Sequence, residues 1–302
     1  MICHDHAVRD GVKIALFGLL CLIWGSTWLV IKVGYGGLGP FNVAGVRFAI
    51  AATVLTAIVP IVGARWPRGR AEWLLILWVG VLLFAGDYGL IYWGEQYIDS
   101  GLTAILFGTF PLITMIAAHI YVPGEHLTPR KLAGGIIAFF GVIALFGDRL
   151  HVNASEVWPM AAIIGGATCA AAANVATKRH GRNIHPAALN ASSMGIGAVL
   201  LLAMAVATGE GVKLPHDATS WMAVGYLSLV GSIVAFLIYF SLLKTWDSTT
   251  VSFFGVFTPA IALFLGAAVL GERLSPWSLA GSLLILAGVA LTLVRPKAAT
   301  AV

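Results

Sequence analysis

Residues 99–142 read DSGLTAILFGTFPLITMIAAHIYVPGEHLTPRKLAGGIIAFFGV, and residues 247–289 read DSTTVSFFGVFTPAIALFLGAAVLGERLSPWSLAGSLLILAGV. The second stretch repeats the landmarks of the first in order. Asp247-Ser248 stands for Asp99-Ser100 and Thr258-Pro259 for Phe110-Pro111. Gly271-Glu272-Arg273-Leu274-Ser275-Pro276 stands for Gly124-Glu125-His126-Leu127-Thr128-Pro129, Gly281 for Gly134, and Gly288-Val289 for Gly141-Val142. The offset is 148 residues at Asp99 and Pro111 and 147 from Glu125 onward, so the second copy is one residue shorter. Further out, an offset of 148 pairs Trp73 with Trp221, and one of 146 pairs Lys32 with Lys178 and Pro40 with Pro186. The chain is therefore read as a duplicated unit. Its expected divisions are a tail 1–11, a first repeat 12–150, a second repeat 151–294 and a tail 295–302.

Composition identifies the solvent. With 59% hydrophobic and only 10% charged residues, and a mean hydropathy of +0.93, 302 residues hold too little polar surface to coat a water-soluble globule. The 35 glycines suit the close helix approach of membrane bundles. A net charge of +5 comes from basic residues scattered among interhelical loops with no stripe, which argues against a nucleic-acid partner.

Ten apolar runs lie near 12–33, 41–62, 72–94, 99–122, 131–147, 157–177, 187–208, 221–243, 248–270 and 276–294. Each is long enough to cross about 30 Å of hydrocarbon at about 1.5 Å per residue, and runs of this length without strict alternation are helical. The first run is too long for a cleaved signal and is needed to complete the first repeat. Thirteen Lys and Arg fall on the N-terminal side and four on the other, with Arg47 inside a span, which predicts cytoplasmic termini. Five helices per repeat is an odd number, so the second copy enters the membrane inverted, a frequent construction in secondary transporters. The predicted fold is all-α and integral to the membrane, with ten transmembrane helices arranged as two inverted five-helix repeats around a central cavity.

Cys3, Cys21 and Cys169 are isolated, and Cys3-His4-Asp5-His6 is read as a terminal tail, so neither a metal nor another cofactor is expected. No Walker-type loop or dinucleotide fingerprint is present. Gly86-Asp87 alone does not make an intramembrane aspartyl protease, whose chemistry needs two carboxylates sharing a proton. His119 has no partner nucleophile in a Gly-x-Ser-x-Gly-like setting. An enzyme is not expected.

Trp24-Gly25-Ser26-Thr27, Gly45-Val46-Arg47-Phe48, Glu95-Gln96 through Ser100-Gly101 and the two Gly-Glu-x-Leu-x-Pro-like turns together resemble the EamA family of the drug/metabolite transporter superfamily. The resemblance covers residues 12–294, and within it the first span and Gly231-Ser232 are most similar to bacterial inner-membrane exporters of metabolites and amino acids. It implies a cavity lined mainly by helices 1, 3, 4, 6, 8 and 9. It does not identify the cargo.

The residues themselves nominate a site. Pro111 and Pro259 occupy equivalent places about halfway along their spans, where each removes a backbone hydrogen bond, and paired interruptions point to a midplane site. Thr109 accompanies the first; packing alone is the competing reading. Trp24 and Trp28 share a face at i and i+4, with Lys32 a turn further, and Tyr88 and Tyr92 enrich span 3. Phe257 adds apolar wall. Asp87 is the only acidic residue well inside a span, a costly placement that makes it a candidate for proton coupling or for binding a substrate amine, against a structural hydrogen bond. Glu95, two turns on, is a second coupling candidate at the outer mouth. Arg47 is read as structural, its guanidinium snorkelling or binding carbonyls at a neighbouring helix end. Asn174 with Lys178 is a weaker candidate for holding a carboxylate. Asp87 and Arg47 are not repeated, their counterparts being Ala235 and Ser193.

These residues lead to a monomeric secondary transporter, in contact only with bilayer, small-molecule cargo and, as a candidate coupling ion, protons. It would carry a small metabolite, amino acids or their analogues foremost, outward across the inner membrane by alternating access. A multidrug, nucleoside or sugar permease of the same fold is the alternative, and a receptor or scaffold without transport is the reading from another class.

Overall fold

Proline sets the helix starts. Pro40, Pro129, Pro186 and Pro276 each open a helix, where a missing N–H removes no bond and the fixed φ suits the first turn. Side-chain caps do the rest: Thr128 Oγ1 accepts from the Lys131 N–H, His185 Nδ1 from Ala187 and Asp217 Oδ1 from Ser220. Bonds from the Ser220 hydroxyl and N–H hold the Asp217 carboxyl below the usual carboxylate range.

The computed structural model describes residues 2–34, 38–98, 100–146, 154–270 and 275–293. Asp99, the boundary region 147–153, the second Gly-Glu turn at 271–274, the tail 295–302, and the side chains of Cys3-His4-Asp5-His6, Trp28 and Lys32 lie outside the described residues. The helices are α1 (Ile2–Gly34), α2 (Pro40–Ile61), α3 (Arg70–Gly94), α4 (Ser100–Phe107 continued by Phe110–Tyr121), α5 (Pro129–Leu145), α6 (Val157–His180), α7 (Pro186–Ala207), α8 (Ala218–Thr245), α9 (Ser248–Ser252 continued by Phe254–Leu270) and α10 (Pro276–Leu293). Among the described residues nine are long and apolar enough to cross a bilayer; α5, described over 17 residues, is the short one and lies along α10.

The packing repeats when the halves are exchanged. α1 packs on α8 and α9, and α6, its counterpart, packs on α3 and α4. α2 pairs with α7, and α5 with α10, like with like. The α5–α10 contact is made at glycines from the repeated sequence: a methyl at Gly141 would lie 2.7 Å from Ile285 N and 2.8 Å from Gly281 O, and one at Gly281 would lie 2.6 Å from Gly141 O. Such backbone contact needs glycine on both helices.

Two irregularities differ from the sequence expectation. Pro111 does not bend a continuous helix: α4 breaks at Gly108-Thr109 and Pro111 sits in the first turn of the continuation, where its missing N–H costs nothing. Pro259 lies inside the helix Phe254–Leu270, and the break in α9 comes earlier, at Phe253. In addition, α3 winds as a π-helix over Gly80–Asp87 and α8 over Leu229–Val234. Subtracting the offset of 148 carries Leu229 and Val234 to Val81 and Gly86, inside the first π segment.

Candidate functional site

The π segment of α8 supplies the anchor of the site. Wide turns release carbonyls from the regular ladder and recur at functional positions. Here the Gly231 carbonyl accepts the Trp24 indole Nε1–H at 3.1 Å and an Nη2–H of Arg47 at 3.1 Å. Arg47 also donates from Nε to Ser232 Oγ at 2.8 Å and from Nη1 to the Tyr92 hydroxyl at 3.1 Å. Its guanidinium carbon lies 5.1 Å from the Tyr88 ring centroid and 5.2 Å from that of Phe48. One fully buried guanidinium from α2 thus joins α3 to α8 across the two halves.

These side chains wall a cavity enclosing about 670 Å³ of non-atom space, part of it open to solvent. Trp24, Thr27 and Ile31 come from α1, Arg47 from α2, and Asp87, Tyr88 and Tyr92 from α3. Leu83 and Ile91 of α3, with Phe107, Phe110, Ala170, Phe236, Tyr239, Phe254 and Thr258, complete it. An offset of 148 separates Tyr88 from Phe236, Ile91 from Tyr239 and Phe110 from Thr258, and 146 separates Trp24 from Ala170; all eight line the cavity. It therefore straddles the axis that relates the repeats.

Asp87, at the end of the α3 π segment, is 3% exposed, and among the described residues nothing hydrogen-bonds to its Oδ1. Gly166 of α6 makes room for it: a methyl there would lie 3.1 Å from Oδ1. No ion pair joins Asp87 to Arg47 among the described residues, so the two face one cavity without pairing to each other. An anionic and a cationic group held apart between aromatic walls can receive a small molecule carrying both charges.

The other candidates are distributed more widely. Trp24 lines the cavity, but its N–H is committed to Gly231 and its ring packs 4.3 Å from that of Phe254 and 5.1 Å from that of Phe236. Thr109 bonds back to the Leu106 carbonyl at 2.6 Å in the break of α4, and neither it nor Pro111 in the first turn beyond is in the cavity wall; Phe110 between them is. Pro259 is likewise outside while Thr258 is inside. Phe257 packs edge-on against Phe17 at 6.0 Å. Asn174 is buried one turn from Ala170, also outside the wall, with no hydrogen-bond partner at either side-chain polar atom among the described residues. Glu95 is half-buried where α3 ends and is not in the wall. Lys178 is outside this wall, and its ammonium caps α8 by donating to the Leu243 and Trp246 carbonyls at 2.9 and 2.7 Å. Sequence reasoning did not assign Arg47, Phe236 and Tyr239 to the cavity. Carrying Tyr88 and Ile91 across the repeat reaches the last two; for Arg47, buried charge was the signal.

Comparison with known proteins agrees with this architecture. The profile of the EamA-like transporter family matches twice, at residues 12–147 and 157–294. The uncharacterized inner membrane transporter YedA of Escherichia coli K12 is 32% identical over 265 residues, 86% of this chain and 83% of that protein. The uncharacterized transporter YoaV of Bacillus subtilis is 28% identical, over 89% and 92%. A probable amino-acid metabolite efflux pump of E. coli K12 is 26% identical over 93% of each chain. A crystal structure 20% identical in sequence superposes with a TM-score of 0.80, covering 94% of this chain and 96% of its own, which supports the fold alone. With both halves matched and the ten-helix duplicated bundle in place, the chain belongs to the EamA-like transporter family.

Proposed function

We propose that the protein exports amino acids or close zwitterionic analogues across the inner membrane by alternating access of its two halves. The observation that carries this reading is the pair of buried, opposite, mutually unpaired charges on one aromatic-walled cavity. Arg47 engages Ser232, Tyr92 and Gly231 through three of its five guanidinium N–H groups and sits against Tyr88, and in the proposal its remaining donor capacity meets the cargo carboxylate. A buried carboxylate whose Oδ1 has no hydrogen-bond partner among the described residues is costly, and a substrate ammonium or a proton satisfies it; Asp87 is therefore the coupling residue of the proposal. Membrane potential adds about 2.3 kcal/mol per charge per 100 mV to any charge moved. The similarity to a probable amino-acid metabolite efflux pump supports the cargo class. The excess of Lys and Arg on the N-terminal side supports cytoplasmic termini.

The test is uptake and counterflow of a labelled amino-acid panel in proteoliposomes, with and without an imposed pH gradient, for the parent and Asp87→Asn. The expected result is flux that follows the gradient in the parent, and exchange retained without that dependence in the variant. Flux indifferent to pH in both removes Asp87 from coupling. No flux across the panel from folded protein overturns the amino-acid assignment.

A further inference from the structure

We propose that the protein holds one anionic phospholipid, with an acyl chain in the groove between α3, α4 and α6 and its phosphate at the basic rim formed by Arg179, Arg182 and Lys244. The groove has about 2230 Å³ of empty space and a floor of small side chains, with Ala117 from α4 and Ala172 from α6 facing Leu74 and Trp78 of α3. Its walls come from both halves. It runs to Arg179, where α6 ends, and Arg179 and Ile184 are shared with a second, polar cavity of about 940 Å³.

That second cavity carries Lys178, Arg179, Arg182 and Lys244 and no carboxylate. Lys178 caps α8, and Arg179 donates to the Tyr121 carbonyl at 2.8 Å with the rest of its fork unassigned. Arg182 and Lys244 are exposed, and no hydrogen bond or ion pair engages either side chain among the described residues. The Thr177 hydroxyl, 7% exposed and without a hydrogen-bond partner among the described residues, faces the same space. The one carboxylate on the groove, Glu72, is held by Arg65 at 2.9 Å and by the Arg68 N–H at 3.0 Å. Unpaired cations at the end of a transmembrane helix, continuous with an apolar trough, match a lipid that carries phosphate at headgroup depth and hydrocarbon below it. A soluble anion would use the rim and leave the trough unexplained.

The experiment titrates the purified full chain in a non-ionic detergent with phosphatidylglycerol, phosphatidylcholine or inorganic phosphate, and reads retained lipid by native mass spectrometry and the apparent melting temperature. The expected result is one retained phosphatidylglycerol and a rising melting temperature, with a weaker response to phosphatidylcholine and none to phosphate. Arg182→Gln/Lys244→Gln should weaken phosphatidylglycerol about fivefold per charge removed and abolish the preference, while Arg182→Lys/Lys244→Arg keeps it. Ala172→Phe, which fills the trough, should weaken both lipids. Equal responses to the two lipids, or a preference that survives the double glutamine variant, overturns the proposal. An equal shift with inorganic phosphate overturns the lipid and assigns the rim to a soluble anion.

Discussion

Arg47 shows how one residue serves fold and cavity together. Its contacts fall on Tyr92, Gly231 and Ser232, so a point in the first repeat fixes the π turn of the second. Lysine keeps the charge but cannot reach three acceptors from one planar fork. Arg47→Lys should therefore lower stability by about 1–3 kcal/mol, the cost of leaving buried polar groups unmet, and should raise the KM for cargo more than it lowers kcat. Detergent unfolding and proteoliposome kinetics measure the two; unchanged values for both remove the bridging role. Asp87 was legible in the sequence because a carboxylate within an apolar run stands out. The full role of Arg47 was not. A buried arginine announces a carbonyl or hydroxyl partner, and the structure supplies both, but nothing local indicates that the partners lie 184 and 185 residues away on the wall of a cavity.

At the level of helices, the repeat made the glycines readable before their contacts were known. Gly134 and Gly141 recur as Gly281 and Gly288, and these four positions bring α5 onto α10. A methyl at 141 meets backbone atoms on the facing helix, which cannot rotate away as a side chain would. Gly141→Ala should cost about 1–3 kcal/mol by overpacking, seen as a lower melting temperature, with transport per folded molecule preserved because α5 and α10 do not contribute to the cavity wall. A neutral melting temperature would mean that the helices separate at little cost. The π segments were not readable, because hydropathy periodicity across one widened turn is nearly that of an α-helix. The prolines were half readable: their pairing located the breaks of α4 and α9, but in the first copy the break precedes Pro111 by two residues and in the second it precedes Pro259 by six.

Across the whole molecule, the bonds that join the halves at the basic end form a closure. Glu125, in the turn between α4 and α5, accepts the Ser248 N–H at 2.9 and 3.0 Å and the Ser248 hydroxyl at 3.0 Å, capping α9 of the other half. Lys131 pairs with Asp247 at 3.5 Å beside it, and Arg179 reaches the Tyr121 carbonyl. The repeated Gly-Glu and Asp-Ser motifs thus meet each other here, Glu125 from the first with Ser248 from the second. If cargo passes between the halves, these contacts must part whenever that end opens. Bonds to a charged acceptor contribute about 1.5–3 kcal/mol, so Glu125→Gln should shift the resting population toward an open basic end by roughly tenfold for each 1.4 kcal/mol lost. The readout is the rate at which a cysteine placed at the fully buried Ala173 of α6 reacts with an impermeant maleimide, in a background with Cys3, Cys21 and Cys169 changed to serine. Faster labelling in Glu125→Gln makes the latch part of the transport cycle. An unchanged rate, in protein that unfolds at the parent temperature, makes the Glu125 cap a static joint, and the moving boundary between the halves must then be sought away from the 125–248 contact.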